Sequence, residues 1–325
     1  MRYDENDRES SNVEDRRGQR SGMRFPGGGI QIPIGGRGGM SFTTLLILGA
    51  IMLFFGINPL ELLTGGGRGF NVPQLPNMEH SPRPAANRNP FDIPGLPGSQ
   101  RQSEQARSPG QSDQMATFIK RVLADTEDVW SRVFQSFGKT YKDPHLVLFS
   151  GATSTACGTG MSAMGPFYCP IDQKIYVDLS FYEQLKRRFQ APGDFAQAYV
   201  IAHEVGHHVQ KLLGIADKVQ SLKSQMSERE SNALQVRMEL QADCLAGVWA
   251  NLNNQLNKRL EQGDIEEGLN AASAIGDDMI QRKTQGYVVP DAFTHGSSAQ
   301  RVRWFQKGFE GGQMQVCDTF SDSSL

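Results

Sequence analysis

The sequence has no excess of charge of either sign. Its 33 lysines and arginines against 35 acidic residues leave a formal net charge of −2. The basic surplus of a nucleic-acid binder is missing, so no nucleic acid is expected as a partner. The chain is not an acidic disordered polymer either. Apolar residues are scarce for a globular chain, at 38%, below the usual share. The four cysteines contain no C-x-x-C pair, which speaks against a cysteine-built metal site. Long apolar runs are missing except for one. Glycine and proline, by contrast, number 35 and 16, more than one compact domain takes up. Their distribution locates the folded part.

Residues 1–40 hold nine glycines, seven arginines and six acids, with every acid at or before Asp15. So polar a segment buries too little apolar surface to fold and is expected to be disordered. Phe42 to Ile57 carries no charge. Extended from Met40 to Leu60 the run reaches about twenty residues, enough for a bilayer core, so a transmembrane helix is expected over 41–62. Five arginines and no acid between Arg16 and Met40 favour a cytoplasmic N-terminus. The expectation is a single-pass inner-membrane protein whose C-terminal domain is periplasmic. Eight prolines and seven glycines fall in 64–112, so 63–112 is expected to be an extended linker. The remaining residues, 113–325, are long enough for an ordinary core.

In that domain Phe118, Val122, Val129, Val133 and Phe137 recur at helical spacing, predicting a helix over 114–137. His145 to Phe149 alternates as a strand does, and Gly151 to Gly165 reads as a loop. Two short strands are expected at Phe167–Cys169 and Ile175–Val177. Helices are expected over 181–189, 195–213, 225–252, 265–280 and 298–309. The fold class is therefore α+β, mostly helical with a small early sheet.

The chemistry sits in His203-Glu204-Val205-Gly206-His207-His208, an H-E-x-x-H sequence. His203 and His207 are four residues apart, so they lie on one helix face and can ligate one zinc ion. Glu204 lies off that line, toward the metal's open side. There it can take a proton from zinc-bound water and pass it to the leaving amine. A catalytic zinc needs a third protein ligand, and a third histidine six residues after His207 is not available because Leu213 stands there. The candidate is Glu239, in Glu239-Leu240-Gln241-Ala242-Asp243. It shares a helix face with Ala242, Asp243 and Ala246, and the small alanines allow close packing on the histidine helix. Asp243, one turn on from Glu239, is placed to accept the outer ring N–H of a ligand histidine.

These motifs resemble the gluzincin metallopeptidases of the HtpX type. More closely, the chain resembles the bacterial neutral zinc metallopeptidase family of single-span membrane proteins. The resemblance rests on the two motifs above and on Gly165–Cys169, Ala274–Asp278 and Thr294–Arg301. It implies zinc ligation by His203, His207 and Glu239, acid/base catalysis by Glu204, and a peptide or protein substrate. In HtpX-like enzymes a His-Pro…Arg segment lies near the site. Here His295 and Arg301 stand in that region with Gly296 in place of the proline, and His295 is a candidate for stabilising the oxyanion. His208 is expected to pack rather than ligate, since it points about 100° away from His207. The Asp277–Asp278 pair is expected to be solvated. The strand at Phe167–Cys169 could hold an extended substrate. Four cysteines in an extracytoplasmic domain suggest two disulfides. Of three pairings, Cys157–Cys169 with Cys244–Cys317 is preferred. The alternative to an enzyme is a membrane-tethered binding module with a structural zinc.

Overall fold

The computed structural model describes residues 1–18 and 109–322. In chain order the elements are β1 (Val13–Asp15), α1 (Pro109–Ser136), β2 (His145–Phe149), β3 (Ala152–Thr155), β4 (Gly158–Met161), β5 (Phe167–Cys169) and β6 (Lys174–Asp178). Seven helices follow: α2 (Ser180–Arg187), α3 (Asp194–Leu212), α4 (Ile215–Lys223), α5 (Glu228–Asn257), α6 (Asp264–Ala274), α7 (Asp277–Gln285) and α8 (Ser298–Gly311).

Strand alternation divides the core. Leu146, Leu148, Ile175 and Val177 point into the main cluster with the helices. Val147, Phe149 and Tyr176 point the other way, onto Cys169, as a period of two requires. The sheet runs β1-β2-β6-β5. β2 is parallel to both β1 and β6, and β5 closes the edge antiparallel to β6. β3 and β4 form a separate antiparallel hairpin, where the sequence predicted only a loop. Its glycines hid a strand pattern made from threonine and serine.

The helical layer is built around α3 and α5. On α5 every residue from Met238 to Ala250 is buried, while the first turns, capped by a Ser227–Glu230 capping box, are wetter. The two helices approach at Gly206, where a Cβ would lie 3.1 Å from the Ala242 backbone. The helix predicted over 265–280 is broken at Gly276, where a Cβ would meet the Ser298 backbone at 2.5 Å. The helix predicted from 225 starts at Glu228, after the separate helix α4. Disulfides join Cys157 to Cys169 and Cys244 to Cys317.

The N-terminal segment corrects the expectation of disorder over 1–40 for its first eighteen residues. Val13 pairs with Leu146, and Asp15 with Leu148. Tyr3 donates to Asp125 at 2.8 Å and lies under Arg259, 4.4 Å from ring centroid to guanidinium. The buried Glu127 carboxylate accepts from Arg8 at 2.8 Å, Ser10 at 2.5 Å and Asn12 at 2.9 Å. The composition argument counted apolar area only. This arm is held by a ladder and by charge-assisted bonds to acids of α1, which such a count does not see. Strands β1 and β2 are hydrogen-bonded neighbours, a pairing that would hold both on one side of a membrane. The apolar run over 41–62 and most of the 63–112 linker lie outside the described residues. Among the described residues no helix is long and apolar enough to cross a membrane.

Candidate metal centre

Helix α3 sets His203 and His207 one turn apart, their ring centroids 4.8 Å from each other. Helix α5 brings Glu239 to both. Its Oε2 is 3.2 Å from His203 Nε2 and 3.4 Å from His207 Nε2. Ligand atoms of the three residues all lie within 4.8 Å of one another. The spacing read from sequence thus becomes a three-pronged site.

Each prong is held from behind. His203 Nδ1 meets Asp243 Oδ1 at 2.8 Å. Tyr199 donates to the same oxygen at 2.5 Å. Arg301 grips Asp243 with two bonds of 2.9 Å and donates to Tyr199 at 3.1 Å. His207 Nδ1 lies 2.9 Å from Gln210 Oε1. Gln235 donates to Glu239 Oε1 at 2.7 Å, leaving Oε2 toward the histidines. Glu204 is 7% exposed and has no hydrogen-bond partner among the described residues.

A cavity of ≈ 160 Å³ opens beside these groups, lined by Phe181, Phe189, Val200, Ile275 and Ile280 together with His203, Glu204 and His295. Gly165 and Pro166, leading into the edge strand β5, form part of its wall. His295 sits on a loop that Asp277 organises. Asp277 Oδ2 accepts from the backbone N–H of Thr294 and of His295, both at 2.6 Å, and of Gly296 at 3.1 Å.

A sequence profile of the family described as "Putative neutral zinc metallopeptidase" matches residues 1–320. The chain belongs to this family. It is 48% identical to the uncharacterized protein YpfJ of Escherichia coli strain K12 over 316 residues, 97% of this chain and 98% of that one. It is 42% identical to an uncharacterized protein of Mycobacterium tuberculosis strain H37Rv over 215 residues, 63% of this chain and 71% of that one. No solved structure matches.

In this member of the family the electrostatics follow the packing. Burial pushes the Glu204 carboxyl up, toward the range of a working acid/base. Burial also opposes charge on Glu239, but the two imidazoles outweigh it and hold the carboxyl well below its usual value. Burial opposes charge on His295 as well, but Asp277 prevails and its pKa rises to about 9. His208 is no ligand. Its Nδ1 lies 3.0 Å from Tyr168 Oη and its Nε2 2.6 Å from the Lys142 carbonyl, and burial lowers its pKa to about 4. Asp277 and Asp278 are not the solvated pair expected. Asp278 accepts from the Ser298 N–H and hydroxyl, each at 2.8 Å.

Sequence reasoning missed three supporting side chains and the role of a fourth. Tyr199, Gln210 and Gln235 stand four before His203, three after His207 and four before Glu239, all spacings that share a helix face. The resemblance put Arg301 near the site, but its hold on Asp243 had no local signal, because the two are 58 residues apart. A second acidic group, Asp194, Asp264 and Glu267, receives the Met1 ammonium, 2.7 Å from Asp194 and 3.2 Å from Asp264.

Proposed function

We propose that this chain is a zinc-dependent endopeptidase with Glu204 as its acid/base. One observation carries the reading: three ligand atoms, from His203, His207 and Glu239, converge beside Glu204, and no fourth protein ligand joins that group among the described residues. A structural zinc is closed by four protein ligands, while a catalytic one keeps a position open. The donor set fits zinc. Each imidazole has its Nδ1 engaged by a side-chain oxygen, which leaves the Nε2 lone pair for a cation. Bound there, zinc supplies a Lewis acid that polarises a carbonyl and eases deprotonation of water.

The chain's own groups do the rest. Glu204 takes the proton of the attacking water and delivers it to the leaving amine nitrogen. His295, a cation near neutral pH, donates to the oxygen that gains charge as the carbonyl becomes tetrahedral. Asp243, Tyr199 and Arg301 keep the His203 ring from turning. The peptide lies extended along the free edge of β5, with an apolar side chain in the Phe181/Phe189/Ile280 cavity.

The test is zinc content and peptide cleavage for the full chain and two variants. Glu204→Gln is expected to keep zinc and lose at least about 10²-fold in turnover, and Glu239→Ala to lose zinc. Wild-type turnover in Glu204→Gln overturns the mechanism. Equal zinc in Glu239→Ala overturns the ligand set. Stoichiometric zinc with neither cleavage nor hydroxamate binding leaves a structural-zinc module instead.

A further inference from the structure

The two ligand histidines are oriented by different chemistry. His203 faces a carboxylate, which only accepts, so its Nδ1 must carry the proton. His207 faces the amide of Gln210, and an amide presents an acceptor or a donor depending on how it is turned. Turned the other way, Gln210 would leave the His207 proton on Nε2 and remove a ligand atom from the site.

The geometry points to a relay that forbids this turn and ends on the Cys244–Cys317 disulfide. Gln210 Nε2 donates to the Met238 carbonyl at 2.7 Å and to Gln241 Oε1 at 3.0 Å. Gln241 Nε2 in turn donates to the Cys317 carbonyl at 2.9 Å. Met238 O and Cys317 O are backbone acceptors and cannot reverse roles. Turning Gln241 would set its amide N–H against that of Gln210 and its oxygen against the Cys317 carbonyl, which would keep only the Thr319 N–H at 3.0 Å. Turning Gln210 would set its oxygen against the Met238 carbonyl. Both glutamines are buried, at 0% and 8% exposure, so water cannot make good the lost bonds. Gln210 and Gln241 are therefore positioning residues for His207.

The disulfide enters because it fixes the last acceptor. Cys317 closes the short turn Met314–Cys317 after α8, and its sulfur is bound to Cys244, next to Asp243 on α5. Thr319 donates to the Arg237 carbonyl at 2.6 Å, and Arg237 donates to the Asp322 carbonyl at 2.9 Å. The C-terminal turn is thus strapped along the helix that carries Glu239. One face of α5 supplies the ligand, and its strap supplies the carbonyl that orients another ligand.

The inference rests on the zinc reading above, and its test separates the two. Zinc affinity is measured by chelator competition on the full chain for wild type, Gln241→Met, Cys244→Ser/Cys317→Ser, and all three substitutions together. Exchange of the histidine Nδ1 protons is followed by NMR on the zinc-loaded forms. Gln241→Met is expected to weaken zinc binding about tenfold, the lower end for an outer-shell partner. It should speed Nδ1–H exchange at His207 and leave His203, held by Asp243, unchanged. The disulfide variant should shift affinity the same way, and the combined variant should lose less than the sum, because both act through one bond. Wild-type affinity in Gln241→Met, equal acceleration at both histidines, or fully additive losses overturn the relay. If the disulfide variant does not fold, the contrast of His207 with His203 in Gln241→Met decides alone. A wild type that takes up no zinc overturns the metal reading, and the relay with it.

Discussion

Arg301→Met is the sharpest probe of how the centre is supported. Arg301 is 3% exposed and Asp243 is fully buried. The guanidinium makes two bonds of 2.9 Å to Asp243, one of 3.1 Å to Tyr199 and one of 3.3 Å to the Ile275 carbonyl. Methionine fills most of the volume but none of these bonds. Asp243 is left as a buried carboxylate with His203 and Tyr199 as its remaining partners. Removing one member of a buried pair costs about 3–5 kcal/mol, far more than the pair itself is worth. For a domain of this size that is a fall in Tm of roughly 6–20 °C. Urea unfolding of the metal-free protein gives the free energy, and chelator competition gives the effect on zinc. Adding Asp243→Asn to Arg301→Met removes the stranded charge while keeping an oxygen for His203 Nδ1. The double variant should recover about 1–3 kcal/mol of the loss. A loss below about 1 kcal/mol in Arg301→Met, or no recovery in the double variant, refutes the claim that Arg301 acts by neutralising Asp243.

The remaining predictions concern the arm and the rim of the site. Glu127→Ala removes the shared acceptor of Arg8, Ser10 and Asn12. Bonds to a charged group are worth about 1.5–3 kcal/mol each before compensation, so unfolding should become at least about 2 kcal/mol easier and trypsin should cut faster at Arg16 and Arg17; an unchanged digestion rate counts against a docked arm. The β1–β2 pairing predicts that, in membrane vesicles, an impermeant thiol probe reaches Asn6→Cys and Lys139→Cys from the same side; reaction from opposite faces would sink it. His295 has its pKa raised to about 9, against burial, by Asp277, with Glu239 adding to the rise and Arg301 opposing it. Its ion pair with Asp277 is intact below the ordinary histidine pKa of about 6.5 and is lost as pH rises through about 9. Peptide cleavage should fall over the same interval, and His295→Gln should remove that limb of the profile; an identical alkaline limb in the variant assigns it to another group.

What the residues disclosed in advance was local. His203, Glu204 and His207 were legible because helical period alone puts them together. Glu239 and Asp243 followed because small residues on the same face, Ala242 and Ala246, marked where α5 could meet α3. The two disulfides were legible because the early hairpin left one short-range pairing. Misses came where a residue's role depends on a partner distant in sequence and the bond is polar. Asp277 looked like half of a solvated pair, yet it accepts three backbone N–H groups from the loop carrying His295. The arm looked disordered because hydropathy scores Arg8, Ser10 and Asn12 as unfavourable, though all three bind one buried carboxylate. Gln210 and Gln241 look like ordinary helix glutamines until Cys317 is brought beside them by a disulfide spanning 73 residues.

The same contrast explains how the centre can be both local and dependent on the whole domain. The ligands come from two helices and can be found from two short motifs. Their orientation comes from Arg301 on α8 and Cys317 beyond it. A ligand histidine that can still turn its ring is a poor ligand, because metal affinity requires the lone pair to be in place before the ion arrives. A chain cut after α5 would keep His203, Glu204, His207 and Glu239, but Asp243 would lose its guanidinium and Gln241 its acceptor carbonyl. The H-E-x-x-H and E-x-x-A-D sequences therefore specify which atoms can bind zinc, and the last third of the domain determines whether those atoms face it.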